Sequence, residues 1–282
     1  MANIFGGNWT EDKIQMVYEY AKAYLDIMKS RTYFHLIYFD GFAGSGNIFN
    51  DSKPDIKTIE GAASKILSIS EPREFNWYYF VELDESNAKA LNKFVAEAYP
   101  TKKYSVVSED CNKKLKDLST YLRNPKNKNV RVLAFIDPYG MELQWSALEH
   151  LKGLNIDIWI LLPTGIGITR LLKNDGSISD AWFSKLESCL GLDKEAIKSY
   201  FYKQKENPTL FGVETTVVKE ENVAAKAAEL YRTQLGKLFE YVTTAYPLKN
   251  STNSTMYHFL LASNNQTAYK ISESMINKRL KK

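Results

Sequence analysis

Val132-Leu133-Ala134-Phe135-Ile136-Asp137-Pro138-Tyr139-Gly140 is the stretch on which the fold turns. Its first five residues are an unbroken apolar run, the pattern of a strand buried on both faces. Such strands belong to parallel sheets covered by helices on each side. The residues that follow place a carboxylate, a free Pro138 carbonyl and an aromatic ring where the strand ends. Open α/β sheets bind their ligands at the carboxyl ends of strands. Asp137 and the Pro138 carbonyl can accept hydrogen bonds from an amino group. The Tyr139 ring can stack on a flat base or close a pocket. The same residues also make a good turn, because proline fixes φ and glycine frees it. The neighbouring segments decide between the two.

Strand-like and helix-like segments alternate on both sides of this stretch. Upstream, residues 9–29 carry Ile14, Val17, Tyr18, Ala21, Tyr24, Leu25 and Met28 on one helical face. Strands are predicted over 34–39, 77–81 and 104–107, and helices over 60–70, 85–98 and 112–122. Downstream come a helix over 144–151 and a strand over 156–162, closed by Pro163. Alternation of this kind means right-handed βαβ units and one parallel sheet. After Pro163 the rhythm breaks. Residues 165 to about 204 read as helical, too long for a simple crossover. They suggest an inserted helical cap. A strand over 213–218, a helix over 223–238, and strands over 239–245 and 256–262 follow. The short, turn-rich connector 246–253 makes the last two an antiparallel pair. A terminal helix is read over 267–280. The expected organisation is a Rossmann-like core over 1–164, a helical insertion over 165–212, and completion of the core sheet over 213–282.

A chain of 282 residues, 44% hydrophobic and 25% charged, fits one large α/β domain with an insertion and excludes disorder. The net charge of +4 permits a nucleic-acid partner without arguing for one. Cys111 and Cys189 fall in predicted helices and read as reduced thiols rather than a disulfide. The three histidines, His35, His150 and His258, show no metal-ligand spacing. The sequence lacks a secretory leader pattern, and no apolar run reaches the roughly 18 residues of a membrane span. A soluble cytoplasmic protein is the expectation.

The glycine-rich stretch Asp40-Gly41-Phe42-Ala43-Gly44-Ser45-Gly46 follows the first sheet strand at once. It lacks both the G-x-G-x-x-G and the G-x-x-x-x-G-K-[ST] spacings, so a pyrophosphate or triphosphate site is disfavoured. A carboxylate ahead of glycines suits a ligand with a cationic head, since Asp40 facing an ammonium or sulfonium is favourable electrostatics. The competing reading is a tight structural turn. Glu82 ends the second strand, where an acid can take both hydroxyls of a ribose. Asp84 reads as the N-cap of the helix that follows. Asp110 ends the third strand, where it can accept from an adenine amino group or cap the next helix. Strand ends one to four thus each present an acid, Asp40, Glu82, Asp110 and Asp137, in consecutive order. They describe a pocket for an adenosine with a charged tail, with a fourth acid reaching an acceptor.

That order resembles a class I S-adenosylmethionine (SAM) methyltransferase. More narrowly, the chain resembles the three-Cys-motif partner proteins, the TcmP family. The resemblance rests on Tyr38-Phe39-Asp40-Gly41-Phe42-Ala43-Gly44-Ser45-Gly46, Glu60-Gly61, Phe80-Val81-Glu82-Leu83-Asp84, Phe135-Ile136-Asp137-Pro138-Tyr139-Gly140 with Trp145, and Tyr257-His258-Phe259-Leu260-Leu261-Ala262-Ser263. It spans roughly residues 10–275. It implies a seven-stranded Rossmann-like sheet with an antiparallel last strand, SAM as cofactor, and a partner protein with a three-cysteine, radical-SAM-like motif. It implies that Asp40, Gly41, Gly44 and Gly46 border the methionine end of SAM, Glu82 the ribose and Asp110 the adenine. Asp137, Pro138 and Tyr139 match the acceptor motif of amino-methylating enzymes. That motif is usually Asp-Pro-Pro-Tyr. Asp-Pro-Tyr-Gly is closer to the Asp-Pro-Phe-Gly of the tRNA guanosine-N2 dimethyltransferases, which leaves adenine N6 and guanine N2 both open. Ala62-Ala63 stand where relatives are expected to carry Ser-Pro.

The function expected is methyl transfer to an exocyclic amine of a nucleic-acid base, DNA or RNA. The alternative is a non-catalytic SAM- or nucleotide-binding scaffold subunit of the three-Cys protein. Arg170, Lys173, Lys185, Lys194, Lys198, Lys203 and Lys205 of the insertion could grip phosphates. Interleaved acids make a solvated helix face the competing reading.

Overall fold

A computed structural model describes residues 8–45, 47–48, 59–209 and 212–281. Strands β1 (His35–Asp40), β2 (Trp77–Val81), β3 (Tyr104–Val107), β4 (Val130–Ile136) and β5 (Ile156–Leu162) lie in the order β3-β2-β1-β4-β5, all parallel. Beyond β5 lies β7 (Thr255–Ser263), antiparallel to it. The other edge of β7 is shared by β6 (Tyr246–Lys249) and the two-residue strand Tyr241–Val242, both antiparallel. This is the mixed α/β class expected from the methyltransferase resemblance, a Rossmann-like sheet that ends in an antiparallel strand.

Period-2 alternation sorts the side chains onto two faces. Ile37, Phe39, Val132, Ala134, Ile136, Ile158 and Ile160 enter one core, while Leu36, Tyr38, Leu133, Phe135, Trp159 and Leu161 enter the other. The first core is covered by α4 (Cys111–Arg123), α5 (Trp145–Glu149), α6 (Asp180–Leu190), α7 (Lys194–Phe201) and α8 (Val223–Leu235). The second is covered by α1 (Asn8–Met28), α2 (Ala62–Leu67), α3 (Glu85–Ala98) and α9 (Gln266–Leu280). Both faces of the sheet are therefore covered by helices. Among the described residues, no helix is long and apolar enough to cross a membrane.

The region after Pro163 departs from the sequence reading. A turn of π-helix over Thr164–Ile168 and a three-residue helix over Thr169–Leu171 lead to α6 and α7. The chain then forms a hairpin of Tyr202–Thr209 with Gly212–Lys219, a separate two-stranded sheet. Residues 202–204 are thus strand rather than helix, and the strand read over 213–218 pairs outside the core sheet instead of completing it. The reason is composition: Lys203, Gln204, Lys205 and Glu206 are all exposed, so no buried face marks this strand. The segment 246–253 also differs, because Tyr246–Lys249 pairs with β7 where a bare connector was expected. Ile59–Glu60 pairs with Asn47–Ile48, so α2 starts two residues after Glu60.

Candidate functional site

The parallel register sets the site. Asp40, the last residue of β1, lies opposite Phe80 of β2 and Phe135 of β4. Glu82 and Asp137 stand just beyond those neighbouring strands, so three acids come to one edge. Asp40 is 1% exposed, and burial pushes its carboxyl up to about 7. Asp137 and Glu82 add to that rise, while the Phe42 N–H and the Tyr38 hydroxyl oppose it. Both of those donors stand at long range, 3.3 Å for Phe42 and 3.4 Å for Tyr38.

The glycine turn is fastened from three sides. Gly41 N–H donates to Phe135 O at 2.9 Å, and Ala43 N–H to Val81 O at 2.9 Å. Gly44 N–H donates to the Glu82 carboxylate at 2.8 Å. A Cβ at Gly41 would meet Cys111 Sγ at 2.6 Å and Ile136 Cδ1 at 2.7 Å, so close packing demands glycine there. Gly44 needs glycine for a different reason, its φ of +61°, with nothing within 4 Å of an added Cβ. Gly46, also expected to border the ligand, lies outside the described residues.

Glu82 takes a second backbone N–H, from Asp84 at 2.9 Å. Each carboxylate oxygen thus holds one donor and retains a lone pair for a ligand. Leu83, directly after it, is 70% exposed. Asp84 caps α3 through the Asn87 N–H at 2.8 Å, as its spacing predicted. Asp110 had two readings open, and the geometry gives it the cap of α4, accepting from Lys113 N–H at 3.0 Å. It is exposed, and Asn112 Nδ2 stands 3.4 Å from its other oxygen. Cys111 links Asp110 to the rest of the site. Burial first, then Asp110 and Asp40, push its thiol well above the ordinary range.

Asp137 brings a residue that the sequence reading missed. It is ion-paired with Lys13 of α1, 124 positions away. Lys13 is only 7% exposed, and its Nζ lies 5.0 Å from the centroid of the Trp9 ring. Trp9 packs on Tyr257 of β7 with ring centroids 4.8 Å apart. Burial, then Asp137 and Tyr139, push the Tyr257 hydroxyl up to about 12, with Arg170 opposing. Pro138 is buried and Tyr139 is 75% exposed. The signal for Lys13 was present in the sequence: it falls on the same helical stripe as Trp9, Met16, Val17, Tyr20 and Tyr24. A lysine on an apolar stripe needs a buried partner. Behind Tyr257, the His258 Nδ1 and Thr164 Oγ1 are 2.8 Å apart and pin the turn after β5 to β7. Burial brings His258 down to about 4, so it is neutral at ordinary pH.

Together these groups form a mostly acidic edge for a cationic or hydroxylated ligand beside an aromatic-walled carboxylate. Asp40 is a buried acid whose two contacts are long, and Glu82 has room for hydroxyls.

No family model matches the chain, and no curated protein is similar to it in sequence. Solved structures are similar to it. A Legionella pneumophila protein of the family-model DUF519 has 15% identity and a TM-score of 0.43, with 93% of this chain and 99% of that one covered. Trm1 from Pyrococcus horikoshii, solved with S-adenosyl-L-methionine, has 10% identity and a TM-score of 0.37 over 89% of this chain and 63% of that one. An rRNA methylase from Streptococcus thermophilus has 13% identity and a TM-score of 0.30 over 74% and 95%.

Proposed function

We propose that the chain is a SAM-dependent methyltransferase acting on an exocyclic amino group of a nucleic-acid base. One observation carries the proposal: Asp40, Glu82 and Asp137 gather at adjoining strand ends, with the glycine turn between the first two fastened to Glu82. Asp40 and the turn would face the ammonium and sulfonium of SAM, Glu82 the ribose hydroxyls, and exposed Leu83 the purine. When bound, SAM supplies an electrophilic methyl group. The chain's own work is on the acceptor. Asp137 Oδ1 and the Pro138 carbonyl accept the two amine hydrogens and turn its lone pair toward the methyl. Tyr139, exposed at the rim, stacks on the base, a contact worth roughly 1–3 kcal/mol. Asp137 or water would take up the proton that the amine gives up once methylated. Positioning dominates the gain, with electrostatics second. A base in a duplex has to be flipped out first. The resemblance assigns a three-Cys-motif protein as the working partner.

A second reading is favoured by one contact. Lys13 already occupies Asp137, which suits a non-catalytic scaffold subunit that binds SAM without transfer. Asp137→Ala separates the two. With labelled SAM, nucleic acid and the three-Cys protein present, transfer by the variant is expected to fall about a hundredfold. Its SAM affinity is expected to stay within about twofold, since the proposal puts no cofactor contact on Asp137. Unchanged transfer by the variant would end the catalytic role of Asp137. Absence of any transfer by the wild type would favour the scaffold.

A further inference from the structure

Lys13 bears on which amines the site can accept. Its ammonium is buried, paired with Asp137, and set against the Trp9 ring. Among the described residues, Asp137 is the one hydrogen-bond partner of Nζ. An ammonium has three donors, so two make no hydrogen bond to the described residues. Trp9 packs on Tyr257, whose hydroxyl feels Asp137, Tyr139 and Arg170.

Two consequences follow for an incoming amine. The first concerns charge. Lys13 is already paired with Asp137, so a protonated alkyl amine reaching that carboxylate meets a like charge beside it. The second concerns hydrogen bonding. A donor now stands beside the carboxylate that accepts from the amine. The matching edge presents an N–H next to a lone pair, as in adenine N6 beside N1, cytosine N4 beside N3, or guanine N2 beside N3. A lysine side chain, a polyamine or a protein N-terminus has no such edge. The aromatic walls suit a flat ring for the same reason.

We infer that Lys13 is a specificity-determining residue: with Asp137 it reads the donor–acceptor edge of a neutral aromatic amine and rejects cationic amines. The inference deepens the proposed function and rests on Asp137 being the acceptor-side carboxylate.

The test needs no identified substrate. The chain is saturated with S-adenosylhomocysteine, and binding of adenosine, cytidine, guanosine, purine riboside and n-butylamine is followed by ligand-observed NMR. Purine riboside is adenosine without its amine. At least one amino nucleoside is expected to bind wild type about tenfold or more tightly than purine riboside and n-butylamine. Lys13→Met is expected to lose about tenfold of that preference and to gain affinity for n-butylamine, while Lys13→Arg keeps most of it. No binding of any amino nucleoside would overturn the inference. So would equal binding of n-butylamine by wild type, or an unchanged ranking in Lys13→Met. If Lys13→Met does not fold by circular dichroism, the wild-type ranking decides alone. Failure of S-adenosylhomocysteine to bind would remove the cofactor reading and this inference with it. Cofactor binding without nucleoside binding removes the inference only.

Discussion

Two buried aspartates at opposite ends of the sheet make an instructive pair. Asp157 is the second residue of β5, near its amino end, and Asp40 is the last residue of β1. Both are buried, and burial raises both, Asp157 to about 6 and Asp40 to about 7. Their partners differ. Asp157 is held by the Tyr20 hydroxyl at 2.9 Å and by Ser263, its register partner on β7. The Ser263 oxygen in turn accepts the Asn265 N–H at 2.9 Å. Among the described residues, Asp40 has two long hydrogen-bond contacts, with the acids Asp137 and Glu82 adding to its raised pKa. Equal burial therefore goes with unequal surroundings: Asp157 stitches β5, β7 and α1 together, whereas Asp40 sits at the carboxyl edge among other acids.

Removing each carboxylate breaks the comparison in opposite directions. Asp157→Ala strands the Tyr20 hydroxyl and Ser263 and is expected to cost about 4 kcal/mol of stability. Thermal unfolding measures that loss, and SAM affinity should stay within about twofold of wild type. Asp40→Asn should do the reverse. SAM affinity is expected to drop about a hundredfold, close to 3 kcal/mol, because the amide offers no charge to the sulfonium and ammonium. Stability at pH 8 should rise instead. The protonated Asp40 carboxyl contributes stability that is fully present below its unfolded value of 3.8 and is lost as the pH rises through about 7. Denaturant melts at pH 4 and pH 8 show this as a gain for Asp40→Asn at pH 8 that vanishes by pH 4. A gain of equal size at both pH values would show that ionisation is not the cause.

A smaller effect sharpens the same contrast. A cation bound beside Asp40 draws its carboxyl down, so binding expels a proton where the free protein still holds one. SAM affinity should then rise about tenfold between pH 6 and pH 8, with the change centred near pH 7. Asp40→Asn should flatten that profile, and Asp157→Ala should leave it in place.

The sheet was legible in the sequence because its central strands are buried on both faces. Runs such as 132–136 and 156–162 admit few other interpretations. The acids were legible for the same reason, since each stands where an apolar run stops. Less could be read where the physics is local and ambiguous or distant and specific. Asp110 satisfied both a cap and a ligand pattern, and the Lys113 N–H it accepts gives it the cap. The 202–219 hairpin has no buried face to generate a pattern, and Val213 and Val217 remain 65% and 48% exposed on one of its strands. Lys13 was visible as an anomaly on α1, but its partner lies across the fold, and a helical period carries no information about such a pairing.

Calorimetric titration of SAM into the purified chain near pH 6.5, repeated in two buffers of different ionisation enthalpy, tests the central claim most directly. The account predicts one site, no comparable heat from ATP or NAD, and buffer-dependent heats that report proton release from Asp40. No binding at millimolar SAM, or equal binding of ATP, would contradict it.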